Sequence, residues 1–213
     1  MREVHTLFLF VSFWYIWYNR VITYEVNRMI TMEKFIYDGH PLLRTVVDEV
    51  ELPLCEADKE VMKQLLEYLK NSQDENLAKK YKLKEGVGLA APQVGLNKRI
   101  FAIRAIDEKE RLHEYVLANP KMISHSEELT YLAKGEGCLS VKKDIVGIVP
   151  RYNRIRLTGY NIEGELIEIK ARGYIGIIFQ HELDHLNGKM FYDHIDSDHP
   201  LMPPAGATPV PVE

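Results

Sequence analysis

The 213-residue chain has only two cysteines, Cys55 and Cys138, far apart in sequence. So few exclude a disulfide framework and suit a reducing compartment, so a cytoplasmic location is expected. A lone cysteine is most often a small buried hydrophobe, and Cys55 is read that way. An excess of positive charge is also missing: 27 Lys plus Arg stand against 31 Asp plus Glu, a net charge of -4. That balance opposes a general electrostatic grip on nucleic acid, and no specific DNA binding is expected. The lysines Lys79, Lys80, Lys82 and Lys84 read as a solvated face. Long apolar runs are absent as well. The longest, "LFLFVSFWYIWY" at Leu7 to Tyr18, holds 12 residues, whereas spanning a bilayer as a helix takes about 20. It lacks the basic flank and cleavage site of a signal peptide, and no transmembrane span is expected.

What is present is ordinary for a globular domain: 46% hydrophobic and 27% charged residues exclude a disordered chain. Residues 1–31 form an atypical apolar extension. Met29 or Met32 reads like a normal protein start, so the extension is taken for an over-long start assignment, with a membrane-associating or partner-binding segment as the alternative. Residues 32–199 contain no repeat or linker and form one domain. Residues 200–213 are proline-rich and read as a loose tail.

Apolar residues Val61, Met62, Leu65, Leu66 and Leu69 recur at helical spacing and predict a helix over Ala57 to Lys70. The polar stretch from Asn71 onward reads as a loop leading to the glycine-rich Gly86 to Gly95. Strands are expected at Arg99 to Arg104, Tyr115 to Leu117, Arg154 to Tyr160 and Leu166 to Ala171, with a hairpin turn at "NIEG". A second long helix is expected over Tyr174 to Leu186, stopped by Asn187-Gly188. Helices and strands that do not alternate regularly indicate an α+β fold, with antiparallel sheets packed around the central second helix.

That helix contains His-Glu-x-x-His. His181 and His185, four apart, share a face and can reach one ion, while Glu182 sits to the side as a candidate base. Asp184 and Asn187 are candidates for supporting or capping roles. A third ligand must lie elsewhere. His113, His125, His194 and His199 remain open, but no glutamate follows Glu182 before Glu213, and position 191 is Phe191 rather than histidine. The search therefore turns upstream to "GEGCLS", where Cys138 stands among small residues.

Three stretches in order, "GVGLAAPQVG" (Gly86 to Gly95), "EGCLS" (Glu136 to Ser140) and "QHELDH" (Gln180 to His185), resemble the signatures of the peptide deformylases. The likeness covers about Met29 to His199. The inserted polar stretch and "KKDIVGIVPR" (Lys142 to Arg151) are similar to the subgroup of many Gram-positive bacteria. The resemblance implies that Cys138, His181 and His185 hold one divalent ion, ferrous iron in the cell, with zinc or nickel able to substitute. It implies Glu182 as the proton carrier, and the Gln93 amide with the Leu139 backbone N–H as donors to a developing oxyanion. It implies a methionine pocket of Val87, Tyr174, Ile177 and Ile178, with the backbone at Gly88 open to an extended peptide. Glu136 is expected to support neighbouring structure rather than bind the ion. The implied partners are N-formylmethionyl nascent peptides, with transient contact to the ribosome near its exit tunnel. One departure is that Lys142-Lys143-Asp144 stand where some relatives place an arginine at the pocket rim, and Arg151 lies too far along to be carried over in its place. Two rival readings are a general metallopeptidase and a silent relative acting as a binding module. The second is opposed because Glu182, Gln93 and every ligand are retained.

Overall fold

A computed structural model describes residues 29–211. The apolar extension, apart from residues 29–31, lies outside the described residues, as does the choice of start within it. Two helices form where the apolar spacing predicts them: α1 (Glu56–Ser72) and the motif helix, Gly173–Leu186. Between them lies an element that the sequence reads as loop: α2 (Glu75–Tyr81), capped by the Asp74 side chain accepting from the Asn76 and Leu77 N–H groups. It buries no residue and has no apolar stripe, so nothing periodic announced it.

Five strands form one antiparallel sheet: β1 (Gly88–Ala90), β2 (Ile100–Ile106), β3 (Leu112–His125), and two later ones defined below. Next come the short β4 (Leu129–Leu132) and β5 (Arg151–Tyr152), then β6 (Arg154–Tyr160) and β7 (Leu166–Arg172). The motif helix is α3, and β8 (Thr208–Val210) ends the described chain. The large sheet runs β1-β2-β3-β6-β7, and a small one runs β5-β4-β8. The "NIEG" turn joins β6 to β7, with the Gly164 N–H donating to the Asn161 carbonyl at 2.9 Å.

The α+β expectation holds, with one addition: β8 pairs parallel to β4. The end of the chain, expected to be a loose tail, is thus held at Thr208–Val210, where the Thr130 hydroxyl also donates to the Thr208 carbonyl.

The sheet is buried on both faces at β2, whose residues from Ile100 to Ile103 are all 0% exposed. Ile100 and Ala102 meet Met62, Leu65 and Leu69 of α1; Phe101 and Ile103 meet Ile175, Ile178, Phe179 and Leu183 of α3. Strand alternation sends neighbours to opposite faces, which is why β2 reads as a continuous apolar run. Each such side chain contributes about 1.5–3 kcal/mol of burial, and together they fix α3 against the sheet. Cys55 corrects its expectation: it is exposed, at the N-terminal end of α1, with its sulfur 3.1 Å from Asp58 Oδ2.

Candidate metal centre

The motif helix is secured at both ends. The Tyr174 N–H donates to Glu108 Oε1 at 2.9 Å, satisfying an N-terminal donor from the β2–β3 turn. At the other end Asn187 caps α3 and Gly188 turns the chain at φ 67°. A side chain at Gly188 would put its Cβ 2.7 Å from the Arg44 carbonyl carbon, so the stop is also a packing requirement.

On one face of α3, the His181 and His185 rings approach edge to face at 5.0 Å. Cys138 reaches them from a turn between β4 and β5, closed by the Val141 N–H donating to the Cys138 carbonyl at 3.2 Å. Its sulfur lies 3.3 Å from His185 Nε2. One donor atom from each of Cys138, His181 and His185 lies within 4.8 Å of the others. Metal–sulfur and metal–nitrogen distances of about 2.3 and 2.0–2.1 Å in a tetrahedron imply donor separations of about 3.5 Å, so the three fit one divalent ion. His113, His125, His194 and His199 take no part: His113 meets Asp107, His125 stacks on Tyr152, and His194 meets Asp184. At His199 the backbone is engaged, its N–H donating to Asp196 and its carbonyl accepting from the Met202 N–H.

Charge holds the group together. Burial pushes the Cys138 thiol up, but the two histidines more than offset this and bring it to about 5, so a thiolate is at hand. His181 Nδ1 sits 2.8 Å from Glu136 Oε2, which turns Nε2 toward the sulfur and His185. Glu136 in turn receives two bonds from Arg151, at 2.7 and 2.9 Å. Arg151 sends its remaining arm to Asp184 Oδ2 at 2.5 Å, and His194 Nε2 meets the same oxygen at 2.8 Å. Burial raises the Glu136 carboxyl, yet the Arg151 charge and bonds and His181 hold it at about 2. Arg151, too far beyond "EGCLS" in sequence to be carried over as the rim arginine, is the cation that joins the Glu136 and Asp184 carboxylates. It lies 15 positions after Glu136 and meets it only in the fold.

Glu182 stands apart. It is 3% exposed, and its Oε2 has no hydrogen-bond partner. Burial raises its carboxyl to about 7, with the neighbouring histidines pulling the other way. It packs against β1 so closely that a Cβ at Gly88 would lie 2.1 Å from Oε1. Two donors face the same space. Gln93 is fixed by the Ala90 N–H donating to its Oε1 at 2.8 Å, leaving its amide N–H groups toward Cys138 and Ser140. The Leu139 N–H has no partner among the described residues.

A cavity of about 370 Å³ opens over this group. Val87, Gly88, Tyr174, Ile177 and Ile178 line it, together with Gln93, Glu136, Cys138, Leu139, His181 and Glu182. His185 lies behind, 1% exposed. Leu132, Lys84 and Glu85 also line the cavity, and no motif pointed to them. β1 is the edge of its sheet, so its outer side is free to pair with an extended chain. Lys142, at the position where some relatives place arginine, instead lies 3.9 Å from the centroid of the Tyr37 ring.

Comparison with known proteins brings these features to one point. Residues 32–200 match the family model described as polypeptide deformylase. Peptide deformylase 2 of Bacillus subtilis is 54% identical over 179 residues, 84% of this chain and 97% of that protein. The crystal structure of peptide deformylase from Thermus thermophilus superposes with a TM-score of 0.63 at 32% identity, covering 78% of this chain and 86% of that one. The Met-Ala-Ser-bound class I type b peptide deformylase from Acinetobacter baumannii gives 0.60 at 27% identity, covering 76% and 96%. The order of the three stretches and their convergence on a single cavity have one common source: this chain belongs to the polypeptide deformylase family, metal-dependent hydrolases that remove the N-formyl group from nascent peptides.

Proposed function

We propose that Cys138, His181 and His185 hold one ferrous ion in the cell, which zinc or nickel can replace, and that Glu182 carries the proton of the reaction. When bound, such an ion acts as a Lewis acid and lowers the pKa of water toward about 7. Glu182 takes a proton from the attacking water. The water oxygen bonds to the formyl carbon, and the C–N bond breaks. Glu182 returns the proton to the departing amine, leaving formate and a free N-terminus. The Gln93 amide and the Leu139 N–H donate to the formyl oxygen as charge builds there, each worth about 2.7–4 kcal/mol in comparable sites. The methionine side chain lies among Val87, Tyr174, Ile177 and Ile178, and the peptide extends along Gly88. Glu136 holds His181 in place. A relative that binds Met-Ala-Ser supports a peptide beginning with methionine as the occupant.

The observation that carries this reading is Glu182, a buried carboxylate without a partner on Oε2, beside three donors that fit one ion. A contact with the ribosome, and a cytoplasmic location, belong to the same reading, since its substrate is a chain still being made. The test is formate release from a formyl-Met peptide by protein prepared without oxygen and loaded with iron(II), beside acetylated and unblocked peptides. Glu182→Ala is expected to keep the ion and lose about 10²–10⁴-fold in turnover. Loss of the ion with turnover would give Glu182 a structural role instead.

A further inference from the structure

The sheet presents a second feature on the face that α1 only half covers. α1 packs over β1, β2 and β3. Tyr160, at one end of β6, packs against the α1 cluster. From there the same face continues through Thr158 to Arg156 and Arg154, which are exposed. Cross-strand register places Arg154 opposite Arg172 and Arg156 opposite Lys170. Directly opposed residues share a face, and like charges so placed destabilise a sheet. Two such pairs stand in succession here.

Two acids lie nearby. Arg154 meets Glu128 at 2.7 Å, and Arg156 meets Glu168 at 2.7 and 2.9 Å. Lys170 and Arg172 have no ion-pair partner among the described residues. The four cations ring a cavity of about 510 Å³, into which Ser124 and Ser126 also project. It shares no residue with the substrate cavity. The whole chain carries a net charge of -4, so four cations gathered on one face stand out as a site of attraction for a polyanion.

We propose that this face docks the phosphodiester backbone of a folded RNA. Guanidinium groups two residues apart along a strand repeat at about 6.4–6.8 Å. A guanidinium fork matches a phosphate bidentately, which Arg172 can do directly and Arg154 and Arg156 by exchanging Glu128 and Glu168 for phosphate. The only large aliphatic residue of the lining, Ile155, is 2% exposed, so the surface offers nothing to insert into a bilayer. The choice of RNA over an acidic protein rests on the proposed function, because an enzyme that meets chains as they are made works beside folded RNA.

The test measures binding of a fluorescent RNA hairpin to the full chain across a salt series, beside poly-glutamate and phosphatidylglycerol vesicles. Binding to RNA is expected to weaken steeply with salt. The double variant R156Q/K170Q is expected to bind about 10–100-fold more weakly at low salt, with a log–log salt slope shallower by about 2. Removing an opposed like-charge pair should leave the melting temperature unchanged or higher. Should the double variant unfold more readily, K170E, at an exposed side chain without a partner, provides the same comparison. Unchanged RNA affinity in the variant, or equal affinity for poly-glutamate or vesicles, overturns the proposal. Formate release from a short formyl-Met peptide should be the same in variant and parent. A parent that binds RNA but releases no formate would overturn the proposed function and leave the docking face standing.

Discussion

Replacing Arg151 with leucine tests the hidden half of the site. The arginine side chain is 3% exposed and provides three charge-assisted bonds, two to Glu136 and one to Asp184. With it gone, Glu136 keeps only His181 and Asp184 keeps only His194. One buried cation then no longer serves the buried Glu136 and the half-buried Asp184. Breaking a buried pair from one side costs about 3–5 kcal/mol, a large share of a total stability of about 5–15 kcal/mol. A second effect reaches the ion. Arg151 is the largest influence holding the Glu136 carboxyl down against burial, and Glu136 aims His181. Loss of such support weakens metal affinity about 10–100-fold, or about 1.4–2.7 kcal/mol. Urea unfolding in excess zinc reads the first effect, and competition with a chelator reads the second. Arg151→Lys keeps the charge but loses the fork, and should fall between leucine and the parent. The double variant R151L/E136Q should cost less than the sum of the two single changes, because it removes both partners together. A stability loss below about 0.5 kcal/mol in R151L, with unchanged ion affinity, would refute the reasoning, since surface substitutions alone reach that size.

Gly88→Ala places a Cβ 2.1 Å from Glu182 Oε1, so either the strand or the carboxylate must move. Its urea midpoint should change less than its turnover, which should drop about 100-fold, the usual effect of a displacement near 1 Å; normal turnover would show that β1 yields freely. Asp107 is lowered by its bonds from Arg111 and His113 and by two backbone N–H groups, against burial. Its stabilisation is therefore complete above its ordinary value of 3.8 and is lost as pH falls through the lower folded value. Asp107→Asn should be less stable than the parent at neutral pH, with a gap that narrows below about pH 4; a gap that is constant with pH in thermal unfolding would contradict this. Deleting residues 1–28 should leave turnover and melting temperature intact. Deleting through Met32 should cost about 1.5–3 kcal/mol, because Ile30 is 4% exposed in the α1 core and Met32 packs beside it; equal melting temperatures for the two truncations would contradict it.

The parts of this molecule that could be read from its sequence are those whose signal is local. α1 and α3 show their apolar spacing, β6 and β7 their alternation, and the "NIEG" and Asn187-Gly188 turns their residue types. What was missed is held by distant partners. β8 exists because it pairs with β4, and α2 rests on a cap rather than a stripe. Cys138 is intermediate: residue chemistry made it a candidate, but only the three-motif resemblance made it a ligand. Arg151 is the instructive failure: it is set aside because it lies too far beyond "EGCLS" to stand for the rim arginine, and it lies close in sequence to the exposed Arg154 and Arg156. A signal was available even so. In steps of two, Ile155 and Leu157 are buried while Arg154 and Arg156 are exposed, and counting back from Ile155 through Asn153 reaches Arg151. An arginine in register with the buried positions must bring its charge inside, and a buried guanidinium requires carboxylates to meet it. Glu136 and Asp184 were the acids already singled out for supporting roles. The phase of the alternation, more than the residue type, separates an arginine that supports His181 from two that face solvent.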